Sequence, residues 1–199
     1  MNKVETMTNP ERKPQILQPR YEGDPVLRLK CRRLAKEEIL SPEIQNLIDD
    51  IKYTCDEKDY GVGLSAPQVG EAVAISVIAV KPTPNRPNLK PFVNVCINTE
   101  ITKTFGEKEP MWEACFSTLD ENGEIVYGQV PRYKEIEVKY LDRNGDEHIE
   151  KVEGFVAHVL QHETDHLEGV LFTDYVNRED LITNQEYREK VLHLTQKSV

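Results

Sequence analysis

The pattern of apolar and polar residues predicts blocks of strands and blocks of helices along the chain. After Ser41-Pro42, apolar side chains recur at helical spacing, which predicts a helix that ends near Asp56. The β-branched run from Val73 to Val80 predicts a buried strand. The other predicted strands are Phe92–Thr104, which holds one or two, Glu135–Tyr140 and Glu147–Val152, with a turn at Asn144-Gly145 between the last two.

Two further helices are predicted in the C-terminal part of the chain. The first runs from Gly154 to Glu168, and Gly169 is placed to end it. The second is expected from about Glu179 to Thr195. Because strands precede helices without strict alternation, the order indicates an α+β fold. We expect residues 1–19 to form a flexible tail and residues 20–199 to form a single domain.

The composition narrows the function classes. A formal net charge of −10 at pH 7 argues against non-specific binding to nucleic acids. Residues 1–19 contain no apolar stretch that could serve as a signal sequence or a membrane anchor. The four cysteines do not form Cys-x-x-Cys pairs, which is typical of free thiols in a reducing compartment. We therefore expect a cytoplasmic protein without membrane contacts.

The most informative motif is His162-Glu163-Thr164-Asp165-His166. Within a helix, the two histidines lie one turn apart on the same face, so their imidazoles can bind one metal ion. The glutamate between them can act as a base on a water molecule. The alternative is an ordinary core helix, since the segment also supplies an apolar face made of Val156, Val159, Leu160 and Leu167.

A third ligand is needed, and three patterns would supply it. A His-x-x-Gly-x-x-His continuation fails, because Phe172 stands where the third imidazole would be. A glutamate from a following helix, Glu186, lies at a suitable interval, and an upstream cysteine, Cys115, is the third alternative. His158 would lie about 12 Å from His166 along the helix axis, too far to share one ion. We expect His158 to face solvent or to support a ligand.

Three stretches of the chain resemble the three motifs of the peptide deformylase family, in the family's order. They are Gly61-Val62-Gly63-Leu64-Ser65-Ala66-Pro67-Gln68, Glu113-Ala114-Cys115-Phe116-Ser117 and Gln161-His162-Glu163-Thr164-Asp165-His166. The likeness covers roughly residues 20–176. Three motifs in register are far more specific than one metal-binding helix motif.

The resemblance implies antiparallel strands around a central metal-binding helix, followed by a C-terminal helix. It also implies a hydrolase that removes the N-formyl group from the initiator methionine of new polypeptides. The implied metal ligands are Cys115, His162 and His166, with Glu163 as general base and then acid. The implied donors to the formyl oxygen are Gln68 and the backbone N–H of Phe116, and Arg132 is expected to pair with Glu113 to brace the ligand strand.

Further expectations follow from the same likeness. The methionine pocket would be lined by Val62, Met111, Phe155 and Val159, and Gly63 would let the substrate backbone lie close to the glycine-rich loop. The native metal would be Fe(II), with Zn, Ni or Co as substitutes. The partners would be N-formylmethionyl peptides or nascent chains, with a transient ribosome contact and no direct binding of nucleic acid.

The chain departs from the family pattern at several positions. Ala114 replaces the usual Gly before the cysteine, Phe116 replaces a Leu, and Ser65 replaces an Ala. The stretch from Ser117 to Pro131 is long and acidic, and we expect it to form an enlarged lip on the cleft. Two alternative functions stay open: another metallohydrolase, with Glu186 as ligand or a different acyl amide as substrate, and a non-catalytic binding protein with a structural metal.

Overall fold

The computed structural model describes residues 12–58, 61–84 and 86–193. Residues 1–11 of the predicted tail lie outside these ranges. The rest of that segment is anchored to a helix, α2 (Pro42–Lys58). Arg12 forms an ion pair with Asp50 at 2.5 Å, and the backbone N–H of Leu17 donates to Thr54 Oγ1 over 2.9 Å. From Arg12 onwards, the segment that we expect to be a flexible tail therefore contacts α2.

One antiparallel sheet forms the centre of the fold. Its strands follow the order β1-β2-β3-β4-β5, and a short sixth strand, β6, pairs with β4. The strands are β1 (Gly63–Ser65), β2 (Ile75–Val80), β3 (Phe92–Leu119), β4 (Ile125–Leu141), β5 (Glu147–Glu153) and β6 (Ile182–Thr183). The predicted combination of antiparallel strands and separate helices is therefore observed.

Strands β3 and β4 are much longer than the sequence pattern predicted. They form a single hairpin that is interrupted by register shifts, for example between Ile97 and Glu100 and between Ala114 and Leu119. Such irregularities bend a strand and break the strict alternation of apolar residues, so the sequence pattern ends too early. Residues 117–131, which we expect to form an enlarged lip, are the end of this hairpin, and Tyr127 within them lines the cleft of the candidate site. Asp120 closes the turn of the hairpin by accepting hydrogen bonds from the backbone N–H groups of Asn122 and Glu124.

Four α-helices accompany the sheet in the described residues: α1 (Lys36–Ile39), α2, α3 (Gly154–Leu167) and α4 (Asn184–Lys190). The predicted start of α2 is confirmed, since Ser41 Oγ accepts from the backbone N–H of Ile44. The apolar face of α2, which includes Ile48 and Ile51, packs with Ile75 and Ile97 of the sheet in one core cluster. Helix α3 packs on the other side through a second cluster that contains Val156, Val159, Leu160, Ile136 and Val138.

The C-terminal helix was predicted too long. The predicted helix begins at about Glu179, but Ile182 pairs with Tyr127 in the β6–β4 ladder. Helix α4 begins only after Thr183, whose Oγ1 accepts from the backbone N–H of Glu186. A capping residue and a partner strand thus override helical spacing in this segment. In the part of the chain that the structure describes, no helix combines the length and the apolar character that a membrane crossing requires.

Candidate active site

Helix α3 presents both histidines of the motif to one point. The Nε2 atoms of His162 and His166 lie 3.3 Å apart, as expected for side chains one turn apart on one face. The helix is fixed to β4 by Gln161, whose amide group bonds to both the backbone N–H and the carbonyl of Tyr133, over 3.0 and 2.8 Å. Beyond the end of α3, Gly169 has a φ of 77°. A Cβ atom there would lie 2.7 Å from the carbonyl oxygen of Arg28, so glycine is required.

Cys115 of β3 brings the third ligand atom to the same point. Its Sγ lies 3.4 Å from His166 Nε2, and the ligand atoms of Cys115, His162 and His166 lie within 4.8 Å of one another. For a tetrahedral Zn²⁺ with bonds of about 2.0–2.1 Å to nitrogen and about 2.3 Å to sulfur, neighbouring ligand atoms would be about 3.3–3.6 Å apart. The separations of 3.3 Å between the two Nε2 atoms and 3.4 Å between Cys115 Sγ and His166 Nε2 match that geometry. The donor set therefore fits one divalent cation with a fourth position left open.

Glu113 organises the groups behind this cluster. Its Oε2 accepts from His162 Nδ1 over 2.8 Å, and its Oε1 accepts from His158 Nε2 over 3.0 Å. Arg132 Nε donates to Oε1 over 2.6 Å, and Arg132 Nη2 donates to Oε2 over 3.1 Å. Burial alone would raise the pKa of Glu113, but the hydrogen bonds from His158, His162 and Arg132 hold it well below its usual range. The ionised Glu113 carboxylate accepts from Nδ1, so Nε2 is the nitrogen of the neutral His162 ring that can bind a metal.

Arg132 joins three elements behind the ligands. It lies on β4 and is 4% exposed, yet it pairs with Glu113 of β3 and, through Nη1, with Asp165 of α3 at 2.6 Å. Burial disfavours the charged guanidinium, but the contacts with both carboxylates raise the pKa of Arg132 above its ordinary value. The charge is therefore fully paired inside the protein. The arrangement couples the strand that carries Cys115 to the helix that carries the two histidines.

The surroundings shift the pKa values of the two histidines in opposite directions. Burial tends to lower the pKa of His162, but hydrogen bonds to Cys115 and Glu113 raise it well above its ordinary value. The pKa of His166 lies well below its ordinary value because of burial and the neighbouring His162. Because a histidine that binds a metal is a neutral imidazole, the lowered pKa of His166 favours metal binding and the raised pKa of His162 opposes it.

Glu163 is buried and is held by hydroxyl groups. Its Oε2 accepts from Ser65 Oγ over 2.5 Å, and Ser65 Oγ is 2.7 Å from Ser76 Oγ. Burial raises the pKa of Glu163, and the nearby His162 and the Ser65 hydroxyl only partly offset this. A carboxylate with a raised pKa is a better proton acceptor near neutral pH. The burial of Glu163 thus suits the general-base role that the family resemblance implies.

Gln68 lies beside the cysteine ligand with its amide group fixed. Its Oε1 accepts from the backbone N–H of Ser65 over 2.8 Å. Its Nε2 is then directed towards Cys115 Sγ at 3.2 Å and Ser117 Oγ at 3.3 Å. The side chain is 1% exposed, but it lines the cleft. The neutral N–H donor of Gln68 therefore lies next to the three possible metal ligands Cys115, His162 and His166.

A cleft of about 500 Å³ connects these groups. Of the residues predicted to line the methionine pocket, Val62, Phe155 and Val159 line it, as do Gly63 and Phe116. Met111 is not among the residues that line this cleft, and it pairs with Val130 in the β3–β4 ladder, so its place in the methionine pocket stays a prediction. The lining residues that the sequence analysis did not identify are Thr83, Arg86, Trp112, Tyr127, Tyr187 and Leu192.

Comparisons with known proteins agree with this geometry. The family model described as polypeptide deformylase matches residues 17–181. Peptide deformylase 2 of Nostoc sp. is 37% identical over 89% of this chain and 96% of its own. The chain belongs to the peptide deformylase family. Members of this family are metal-dependent hydrolases that remove the N-formyl group from nascent peptides.

Solved structures of the family share the fold. A Met-Ala-Ser-bound class I type b peptide deformylase from Acinetobacter baumannii superposes with a TM-score of 0.74, at 32% identity, over 82% of this chain and all of that chain (100%). An actinonin complex of a peptide deformylase from Synechococcus elongatus has a TM-score of 0.69 and 36% identity over 89% of this chain and 87% of that chain. The structural likeness therefore agrees with the family found from the sequence.

The structure also separates the candidate third ligands. Glu186, the alternative from the following helix, bonds through its carboxylate to Thr183 and Lys190. Among the described residues, the group of three close ligand atoms consists of Cys115, His162 and His166. Glu186 is therefore a capping residue of α4, and its possible role as a ligand finds no support.

Several site contacts were not predicted from the sequence. His158 is buried and supports Glu113, which agrees with the second of its two expected roles. Asp165 pairs with Arg132. Its position three residues after His162, near the same helix face, is the sequence signal that could have indicated a place close to the site. Ser65 stands where the family pattern has an Ala, and its hydroxyl contacts Glu163. Nothing in the local sequence pattern indicates this last contact.

Proposed function

We propose that this deformylase uses Cys115, His162 and His166 to hold one divalent cation and Glu163 to move the proton during hydrolysis of the formyl amide. The observation that carries the proposal is the convergence of the three ligand atoms beside a buried carboxylate in one cleft. A purely structural metal site would need no base, so Glu163 argues against a non-catalytic role.

Two nitrogen ligands, one sulfur ligand and an open position suit Fe(II) or Zn²⁺. We propose Fe(II) as the native metal, with Zn, Ni or Co as substitutes. When bound, the cation supplies a Lewis acid that lowers the pKa of water to about 7 and polarises a carbonyl oxygen. Glu113 would hold the His162 ring in place through its contact with Nδ1, and Arg132 would hold the Glu113 carboxylate.

Glu163 would act first as a base and then as an acid. It takes a proton from the water molecule as the water oxygen attacks the formyl carbon. The bond between the formyl carbon and the amide nitrogen then breaks, and Glu163 returns the proton to the leaving amine. The products are formate and a peptide with a free N-terminus. The raised pKa of Glu163 suits both steps.

The negative charge that develops on the formyl oxygen needs donors fixed in advance. We assign this role to Gln68 Nε2 and to the backbone N–H of Phe116, which follows Cys115 on β3 and lines the cleft. Gln68 is held by its contact with Ser65, so little reorganisation is required. Removing one such donor typically costs about 3–4 kcal/mol of transition-state stabilisation.

The apolar part of the cleft would take the methionine side chain. Val62, Phe155 and Val159 are the predicted pocket residues that line it. Strand β1 lies at the end of the sheet order, so the substrate main chain can add beside it as a further strand, with Gly63 allowing a close approach. Main-chain hydrogen bonds of this kind give affinity without selecting a sequence.

The proposed substrates are N-formylmethionyl peptides or nascent chains, met in the reducing cytoplasm. The four cysteines are all buried and free, which fits that compartment. A transient ribosome contact is part of the proposal by likeness to the family, and co-sedimentation with ribosomes tests it. Direct binding of nucleic acid is not proposed, because the net charge is −10.

Release of formate from a formyl-Met peptide by anaerobically prepared protein tests the function. Wild type should release formate, Glu163→Ala should lose nearly all activity while keeping its metal, and an N-acetyl analogue should be a poor substrate. Failure of metal-replete wild type to release formate would refute the assignment. Separate Cys115→Ala and Glu186→Ala variants test the ligand set: only the former should lose metal.

A further inference from the structure

Residues 12–22 form a strap that runs from helix α2 to the segments that carry the proposed donors to the formyl oxygen. At the α2 end of this N-terminal strap, Arg12 donates to the Asp50 carboxylate through both Nη atoms, over 2.9 and 2.5 Å. The backbone N–H of Gln15 donates to the same carboxylate over 2.7 Å. Asp50 is only 6% exposed, and a buried carboxylate is costly unless it is paired. The contacts with Asp50 therefore fix the start of the strap on α2.

The middle of the N-terminal strap is tied to the same helix and to the core. The backbone N–H of Leu17 donates to Oγ1 of Thr54 over 2.9 Å, and Thr54 is fully buried. The Leu17 side chain packs against the core cluster that contains Val69 and Phe116. Val69 directly follows Gln68 in the chain, and Phe116 carries the second proposed donor. The strap therefore packs against the neighbours of both donors.

The end of the N-terminal strap joins the two donor segments by backbone hydrogen bonds. The backbone N–H of Arg20 donates to the carbonyl oxygen of Gln68 over 2.8 Å. The backbone N–H of Glu22 donates to the carbonyl oxygen of Ser117 over 2.7 Å. Ser117 directly follows Phe116, and its hydroxyl lies 3.3 Å from Gln68 Nε2. One short segment thus holds the backbone beside both donors.

The side chain of Arg20 lies against the turn that follows Gln68. Gly70 has a φ of 100° and ends the 3-10 helix Ala66–Val69, which contains Gln68. A Cβ atom on Gly70 would lie 2.9 Å from Arg20 Nε, so the guanidinium rests on the backbone of this turn. A displaced strap would lose this contact together with the hydrogen bond to the Gln68 carbonyl.

We propose that the N-terminal strap positions Gln68 and the backbone N–H of Phe116 for the negative charge that develops on the formyl oxygen. Arg12 and Asp50 are then positioning residues, although neither lines the cleft. This inference rests on the proposed deformylase function and adds a part of the chain outside the cleft to it. Such donors act only if they are held in place before the reaction, so a small displacement lowers kcat more than it raises KM. Because a displacement of about 1 Å can cost about a hundredfold, we expect loss of the anchor to lower kcat about three- to tenfold.

Arg12→Ala removes the anchor and leaves every residue of the cleft unchanged. Formate release from a formyl-Met peptide by the metal-loaded full chain should show the lower kcat with little change in KM, at unchanged metal content. Hydrogen exchange at the backbone N–H groups of Arg20 and Glu22 should become faster. Lys52→Ala, which breaks an exposed ion pair with Asp56 on the same helix, is the matched control and should behave as wild type. A wild-type kcat in Arg12→Ala, or wild-type exchange at both N–H groups, would overturn the inference.

A combination with Gln68→Ala separates positioning from a general loss of stability. If the strap acts through the Gln68 amide, Arg12→Ala should lower kcat by a smaller factor in the Gln68→Ala protein than in wild type. The same factor in both backgrounds would contradict the positioning role, because a general loss of stability does not depend on the Gln68 side chain.

Variants of Thr54 test the middle of the strap without touching Arg12. Thr54→Ser keeps the hydroxyl group that accepts from Leu17, whereas Thr54→Val removes it at similar volume. Thr54→Val should therefore lower kcat relative to Thr54→Ser, and equal kcat values in the two variants would contradict the role of the strap.

The activity of wild type separates this inference from the proposed function. If metal-loaded wild type releases no formate, the proposed function fails. If wild type releases formate and Arg12→Ala releases it with the same kcat, the function stands and only the role of the N-terminal strap fails.

Discussion

Ser65 Oγ lies 2.5 Å from Glu163 Oε2 and donates a hydrogen bond to it in the buried interior. The other carboxylate oxygen, Oε1, lies above Gly63, where an added Cβ atom would be only 2.3 Å away. The two oxygens of Glu163 therefore have different environments. One is tied to a hydroxyl group, and the other faces a glycine that lines the cleft.

Gly63→Ala should displace the Glu163 carboxylate, because the new methyl group would overlap Oε1. A shift of about 1 Å in a catalytic group can lower the rate about a hundredfold, and we expect a loss of kcat of that size. Formate release and metal content of the purified protein are the measurements. Gly61→Ala, with no atom within 4 Å of the added Cβ but a φ of 98°, separates backbone strain from contact with Glu163. Equal kcat in Gly63→Ala and wild type would show that Oε1 does not take part.

Ser65→Ala should orient Glu163 less well but leave the metal site intact. A loss of about 1 kcal/mol of transition-state stabilisation corresponds to roughly a fivefold fall in kcat, with little change in KM. Ser76→Ala removes only the contact behind Ser65 and should have a smaller effect. Steady-state kinetics on one formylated peptide compares them. A rise in KM at constant kcat would instead assign Ser65 to substrate binding.

Glu113→Gln should weaken metal binding, because the neutral amide holds His162 and Arg132 less strongly than the carboxylate does. Loss of a partner that orients a metal-binding histidine typically lowers metal affinity about 10- to 100-fold. Competition with a chelator measures this directly. Glu109→Gln, which breaks an exposed ion pair with Lys134, is the control and should bind metal as wild type does. An unchanged affinity in Glu113→Gln would rule out the bracing role.

Asp142 should make stability depend on pH below the ordinary pKa of an aspartate. Although partial burial tends to raise its pKa, hydrogen bonds from the backbone N–H groups of Asp146 and Asn144 lower it below 3.8. A carboxylate with a lowered folded-state pKa contributes stability above its unfolded-state pKa and loses it as the pH falls through the folded-state pKa. The difference in the free energy of unfolding between wild type and Asp142→Ala should therefore be largest above about pH 5 and shrink below about pH 4. Urea unfolding at several pH values measures it, and a difference that is constant with pH would contradict the lowered pKa.

The sequence by itself determined the family, the metal-binding helix and the ligand candidates. Helical spacing predicted α3 to within a residue at its C-terminal end and put His162 and His166 on one face. Three motifs in register added Cys115, which is far from them along the chain. Helical periodicity and short family motifs are properties of local sequence, so they can be recognised without knowledge of the fold.

The tertiary structure alone decided the contacts among distant segments. Because β3 and β4 contain register shifts, the alternation of apolar residues predicted only a part of this long hairpin. The pairing of Ile182 with β4 replaces the start of the predicted C-terminal helix. The contact of Ser65 with Glu163 and the grouping of Trp112 with Tyr187 join residues separated by 98 and 75 positions. Such contacts depend on register and packing between elements, which the periodicity of a single segment does not encode.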